Sequence, residues 1–205
     1  DISGIIHKDI DLVCLNYAPA SLVSGVIKTG IPLVIKDGRL HLETYLKASM
    51  ETEDFLEFSE DFYRIYKEAR SLTAEQKERL LVRLQFLDSE IKEVASYQMV
   101  TVDDYQKDKM KRRGIERWAE NILNATIDIA KITLASEKRL MPRTYEEALL
   151  NFVSLAGLSG EEAIRISKFA NLRNILAHEY LEILYGRIEK FIQEALPLYP
   201  KIIGF

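Results

Sequence analysis

The sequence predicts a mainly helical protein, α+β overall, in which a four-helix bundle follows a small α/β segment. Three observations lead there. From Thr73 to about Leu196, apolar residues recur every three or four positions, the spacing of a buried helix face. Three of those runs open on Ser or Thr with Glu or Gln three residues later, which marks a capped helix start. Short, largely apolar runs of strand character occur only near the beginning.

Composition narrows the class. A chain of 205 residues is long enough for one or two domains with a sizeable core. Apolar residues are 47% and charged residues 29%, the balance of a soluble globular protein. No apolar run is long enough to span a bilayer, and no signal-peptide pattern is present. The single Cys14 excludes an internal disulfide, so a cytoplasmic protein without a membrane partner is expected. His7, His41 and His178 lie far apart, without zinc-type spacing. The net charge of −4 means that any contact with nucleic acid must come from a local basic patch. The chain opens on Asp1 rather than Met, so a further segment ahead of it is expected.

The elements follow in order. Ile10 to Asn16 reads as a strand, Pro19 opens a helix that Gly30 closes, and Ile31 to Ile35 reads as a second strand. Residues 39–70 read as one helix with Phe55, Phe58, Phe62, Ile65 and Tyr66 on a stripe. The first bundle helix, capped by Thr73 and Gln76, buries Leu80, Leu84, Leu87, Ile91 and Val94. A second, from about Val102 to about Lys138, has Ile115, Trp118, Ile122, Ala125, Ile129 and Ile132 as its seam. A third follows Pro142, with Thr144 and Glu147 as its expected capping box and Ala148, Leu149 and Phe152 inside. The fourth, headed by Ser159 and Glu162, runs from about Gly160 to about Leu196.

That last helix carries Leu172-Arg173-Asn174-Ile175-Leu176-Ala177-His178-Glu179-Tyr180. Helical geometry puts Asn174 and His178 one turn apart and Arg173 and Tyr180 two turns apart, on one polar sector. Phe169, Leu172, Ile175, Leu176 and Ile183 fall on the other side. The expectation is an apolar back and a front presenting a cation, an imidazole and a phenol. On such a front, replacement of Arg173 or His178 is expected to spare stability. A second polar stripe, Arg117, Asn121, Asn124 and Asp128, runs beside the seam of the second bundle helix. Read blandly, Arg173 pairs with Asp128 and His178 is a partly buried histidine with no chemistry.

The run RNILAHEY resembles the Arg-x4-His-x-Tyr motif of HEPN-domain ribonucleases of the HepT type, toxins partnered by a minimal nucleotidyltransferase (MNT) antitoxin. RGIERWAENILNATIDIA is similar to the second helix of those domains, and PRTYEEALLNFVSLAGLSGEE to the third. DIDLVCLNYAP, in turn, resembles the part of an MNT domain after its main active-site loop, with Asp11 in the place of a third metal-binding carboxylate. The Gly-Ser loop and Asp-x-Asp pair of that family are absent, and one carboxylate does not make a two-metal site. The resemblance thus implies the C-terminal part of an MNT domain over 1–50, a linking helix over 51–72 and a HepT-like HEPN domain over 73–205.

The chemistry expected is metal-independent RNA cleavage, with tRNA as the substrate the family suggests. Arg173 and His178 are the catalytic candidates, supported by Asn174, Arg117 and Asp128. Histidine can move a proton near neutrality and arginine can grip a phosphate. Arg173 and His178 lie roughly 140° apart around the helix, so the arginine must wrap to share a ligand with the ring. One histidine is thin for two proton transfers, so a homodimer facing two motifs across a cleft is expected. The resemblance also implies that a nucleotidyltransferase antitoxin, in cis or in trans, transfers AMP to Tyr180. ATP and Mg²⁺ belong to that step and only to a complete transferase; the HEPN part needs no cofactor. The competing reading is a non-catalytic HEPN module that binds a nucleotide or a partner.

Overall fold

The computed structural model describes residues 11–15, 18, 20–68, 72–178 and 185–204, with only the backbone at Ala20 and His178. The chain divides into two compact units, Asp1–Glu53 and Asp54–Phe205.

In the first unit the helix expected after Pro19 is present as α1, Ala20–Thr29. A long helix, α2, starts in this unit and covers Gly38–Glu68. The two expected strands do not appear among the described residues: 31–35 is irregular, and 11–15 of the first run form no strand, while Ile10 and Asn16 lie outside the described residues. Ile31 is 84% and Leu33 90% exposed. A run of β-branched residues becomes a strand only when a neighbouring backbone takes its N–H and C=O groups, and no described segment does so here. The α/β reading of this unit is therefore corrected to helix and irregular chain over the described residues.

The second unit is helical throughout its described residues. It starts with the second half of α2, whose Phe55, Phe58, Phe62 and Ile65 are buried. Helix α3, Ala74–Lys92, is closed at its start by the expected Thr73–Gln76 capping box. Short α4, Val94–Gln98, follows it.

The expected long second bundle helix is two helices, α5 (Val102–Lys107) and α6 (Lys109–Ser136). The break sits at Asp108, whose backbone is extended and whose carboxylate accepts from Met110 N and Lys111 N at 2.9 and 3.1 Å. An aspartate that can cap a new helix outcompetes continuation of the old one. Thr101 and Asp104 form a capping box on α5 that the Glu/Gln signature misses.

Helix α7, Tyr145–Leu155, has only half of its expected box. Thr144 accepts from Glu147 N, but the Glu147 carboxylate turns to Arg143 N at 2.7 Å. Gly157 at φ 81° ends it, with Leu158 N returning to Val153 O at 3.2 Å. That 6→1 bond requires the left-handed conformation glycine adopts at low cost.

The fourth expected helix is also broken. The break described lies at Lys168–Phe169, between α8 (Gly160–Ser167, with the expected Ser159–Glu162 box) and α9 (Ala170–His178); residues 179–184 lie outside the described residues, and α10 covers Tyr185–Glu194. A 3₁₀ turn at Leu196–Leu198 containing Pro197 leads to α11, Tyr199–Ile203.

Helix α6 is the axis, in contact with α3, α5, α7, α9 and α10. Its expected seam, Ile115, Trp118, Ile122, Ala125, Ile129 and Ile132, is buried throughout. Trp118 stacks on Tyr97 at 4.6 Å and donates its indole N–H to Glu90 O at 2.7 Å, so its polar atom is satisfied inside the core. No helix among the described residues is long and apolar enough to cross a membrane.

Candidate functional site

Helix α9 brings the Arg173 end of the motif into the second unit, packed on both α6 and α7. Phe169, Leu172 and Ile175 are buried, as the periodicity predicts. Tyr180 and the side chain of His178 lie outside the described residues. The described part of the site is Arg173 and the side chains around it.

Arg173 is not on an exposed front; its side chain is 15% exposed. Nε donates to Asn124 Oδ1 on α6 at 2.9 Å. Nη1 donates to Asp54 Oδ2 on α2 at 2.5 Å and lies 3.5 Å from Asn174 Oδ1. The guanidinium carbon stands 5.1 Å from the centre of the Tyr145 ring on α7. Helices α2, α6 and α7 thus converge on one side chain. Burying a cation is tolerable only with such pairing. Nη2 has no hydrogen-bond partner among the described residues. The bland pairing of Arg173 with Asp128 is also corrected, since the carboxylate it meets is Asp54.

The second polar stripe divides among different partners. Arg117 is 68% exposed and pairs with Glu120 at 3.0 Å. Asn121 Nδ2 donates to Glu90 at 3.3 Å. Asn124 alone reaches Arg173. Asp128 accepts from Arg83 Nε at 2.8 Å and meets Lys131 Nζ at 3.3 Å. Lys131 continues to Asp61 at 2.8 Å, and Asp61 also meets Arg79 at 3.3 Å and Arg64. Burial raises the Asp61 carboxyl, but hydrogen bonding to Lys131 and the charges around it outweigh that and hold it below its ordinary range.

Tyr145 packs edge-on against Phe55 and Phe58 at 5.3 and 5.4 Å. Burial pushes its phenol up to about 12 against the opposing charge of Arg173. It stays protonated, so Arg173 faces a neutral ring.

Asp54 is the residue that sequence reasoning missed. Asp54, Phe58 and Asp61 follow at four and three residues, so two acids share a face with the Phe stripe of α2. Acids embedded in an apolar stripe need cations to meet them, and Arg173 and Lys131 do so here. Asp11 is exposed, and among the described residues no group of three or more His, Cys, Asp or Glu could hold a metal ion.

Two comparisons bear on this arrangement. The family described as "Ribonuclease HepT-like" matches residues 87–204, more than half of the chain, from late α3 to the end of α11. A "tRNA nuclease HepT" from Aphanizomenon flos-aquae (strain 2012/KM1/D3) is 29% identical over 118 residues, covering 58% of this chain and 80% of that protein. With Arg173 and the backbone of the motif helix inside the matched region, the chain belongs to the ribonuclease HepT-like family.

Proposed function

We propose that this protein is an endoribonuclease toxin of the HepT type that cleaves RNA, a tRNA foremost, without a metal. The observation that carries this reading is Arg173, withdrawn from solvent and oriented by Asn124 and Asp54, in a chain of this family. The printed name of the cyanobacterial relative supports tRNA as substrate.

The reaction follows from the residue types. The 2′-hydroxyl gives up its proton and attacks phosphorus, the P–O5′ bond breaks, and the leaving oxygen takes a proton. A 2′,3′-cyclic phosphate remains. Histidine as a residue type can move a proton near neutrality, and His178 is the candidate for either transfer. Arg173 meets the charge that builds on the phosphoryl oxygens. Asn174 steadies the guanidinium from its own helix, and Asp54 and Asn124 position it. Arg117 is open to RNA, whereas Asp128 braces Arg83 and Lys131. Two proton transfers are best served by two histidines, so the active form is a homodimer with its motifs facing one cleft.

Silencing belongs to the same reading. A nucleotidyltransferase antitoxin, in cis or in trans, uses ATP and Mg²⁺ to place AMP on Tyr180. Asp11 is a single carboxylate and does not supply that activity by itself.

The test is incubation of the purified chain with cellular tRNA in the presence of EDTA, with analysis of product ends. Cleavage leaving cyclic phosphate ends, abolished by His178→Ala with helicity unchanged, is expected. The sequence-based expectation that Arg173→Ala spares stability is corrected by its buried ion pair, so Arg173→Lys is the better probe. That variant keeps the charge but loses the fork geometry. No cleavage of any cellular RNA, or an active His178→Ala protein, sinks the nuclease reading. An inert protein that binds nucleotides would make it a binding module.

A further inference from the structure

A groove of about 400 Å³ opens between α8–α9 on one side and α10 on the other. Arg165 and Lys168 line one wall, and Arg187 and Lys190 line the other. Each pair is spaced three residues, one turn along its helix, so two short rows of cations face each other. All four residues are exposed. Among the described residues neither Arg165 nor Lys168 has an ion pair, and Lys190 has only a loose contact with Glu194 at 3.8 Å. Two carboxylates, Glu161 and Glu194, share the lining with these four cations. On a chain of net charge −4 this is a local excess of positive charge.

We propose that this groove holds the phosphodiester backbone of the RNA substrate on the nucleotides beside the cleaved bond. The inference rests on the nuclease reading and names the surface that reading needs. Three features favour RNA over a protein partner. The groove sets cations on both of its walls, while Phe169, Leu172 and Ile175 at its base are buried. A protein interface would need an exposed aromatic or aliphatic anchor at its centre, and only Ile164 at 48% exposure approaches that. Exposed Asn171 adds a neutral donor of the kind that contacts phosphate and sugar. Position 178 follows Asn171 by two turns on α9, so a strand lying in the groove runs along the helix toward the register of the motif histidine. Arg173 is held on α2 and α6 and serves the reacting phosphate, and the groove supplies charge for its neighbours.

The experiment measures binding of a single-stranded RNA to the full chain carrying His178→Ala, which prevents turnover, as a function of salt. The parent is compared with versions that add Arg165→Gln and Lys168→Gln, or the charge-keeping Arg165→Lys and Lys168→Arg. A control adds Lys77→Gln and Lys92→Gln on α3, which does not line the groove. Each lost phosphate contact lowers the salt slope by about 0.7, so the double Gln variant should lose about 1.4, on every RNA sequence alike. The charge-keeping and α3 versions should hold the parental slope. In the active background the double Gln variant should raise KM with kcat little changed, the signature of lost uniform binding. A double Gln variant with the parental slope overturns the groove while leaving a cleaving wild type, and so the nuclease reading, intact. A parent that binds no RNA, together with an inert wild type, takes down that reading itself. If the double Gln variant turns a dimer into a monomer on sedimentation, the groove is a contact between copies and the proposal is wrong.

Discussion

Asp54 Oδ2 lies 2.5 Å from Nη1 of Arg173, across 119 residues of sequence. The carboxylate comes from α2, ahead of the segment that matches the family, and the arginine from the motif helix within it. The contact therefore joins an arginine inside the matched segment to a helix outside it, and its removal should be felt in both stability and activity.

Replacement of Asp54 by Ala should leave the guanidinium buried with Asn124 as its main partner. Breaking a buried pair from one side costs up to several kcal/mol, but Asp54 is partly exposed, so about 2 kcal/mol is expected. That corresponds to a fall of roughly 4–8 °C in thermal midpoint. Asp54→Asn keeps a neutral acceptor and should lose less than half as much. Cleavage should fall in the same order, because Arg173 is no longer oriented. Calorimetry on the two variants checks the ranking, and equal midpoints for Ala and wild type would show that the pair contributes nothing.

Acid should weaken the second unit through Asp61. Its folded carboxyl sits below the ordinary 3.8, so it contributes stability above that pH. The contribution disappears as pH falls through the lower, folded value. Urea midpoints of wild type and Asp61→Asn should differ at neutral pH and converge as the pH is taken well below 3.8. A gap that stays constant down to pH 2 would mean the Lys131–Asp61 contact is not electrostatic in origin.

Within the core, the hydroxyls of Thr126 and Tyr199 lie 3.2 Å apart, and Thr126 also donates to Ile122 O at 2.7 Å. The two substitutions should differ. Tyr199→Phe leaves Thr126 with its carbonyl partner and should cost about 1 kcal/mol. Thr126→Ala strands a fully buried phenol and should cost more, about 2–3 kcal/mol. Chemical denaturation gives both numbers, and the reverse ranking would count against the hydrogen bond.

Adenylylation is checked by mass. After incubation with ATP, Mg²⁺ and a complete partner transferase, peptide mass spectrometry should find AMP on Tyr180, and cleavage should stop. The added phosphodiester would be an anion of the kind an arginine such as Arg173 pairs with. An adduct that leaves cleavage unchanged would remove Tyr180 from regulation.

The sequence by itself determined what is decided within a turn or two of chain. The capping boxes at Thr73 and Ser159, the buried seam of α6 and the aromatic stripe of α2 all depend on residues three or four apart. The helical course of residues 173–178 was legible for the same reason. Tertiary structure decided everything that needed a partner. Ile31 to Ile35 has strand composition but no described backbone to pair with, so it stays irregular. The stripe Arg117, Asn121, Asn124 and Asp128 looks like one feature along α6, yet packing gives its members to Glu120, Glu90, Arg173 and Arg83. Arg173 itself reads as a front residue when one helix face is assumed buried. It turns inward because α9 packs on both α6 and α7, and a cation drawn into that space must find a carboxylate. That the carboxylate is Asp54 is a consequence of how helices far apart in the chain come together, which no local spacing encodes.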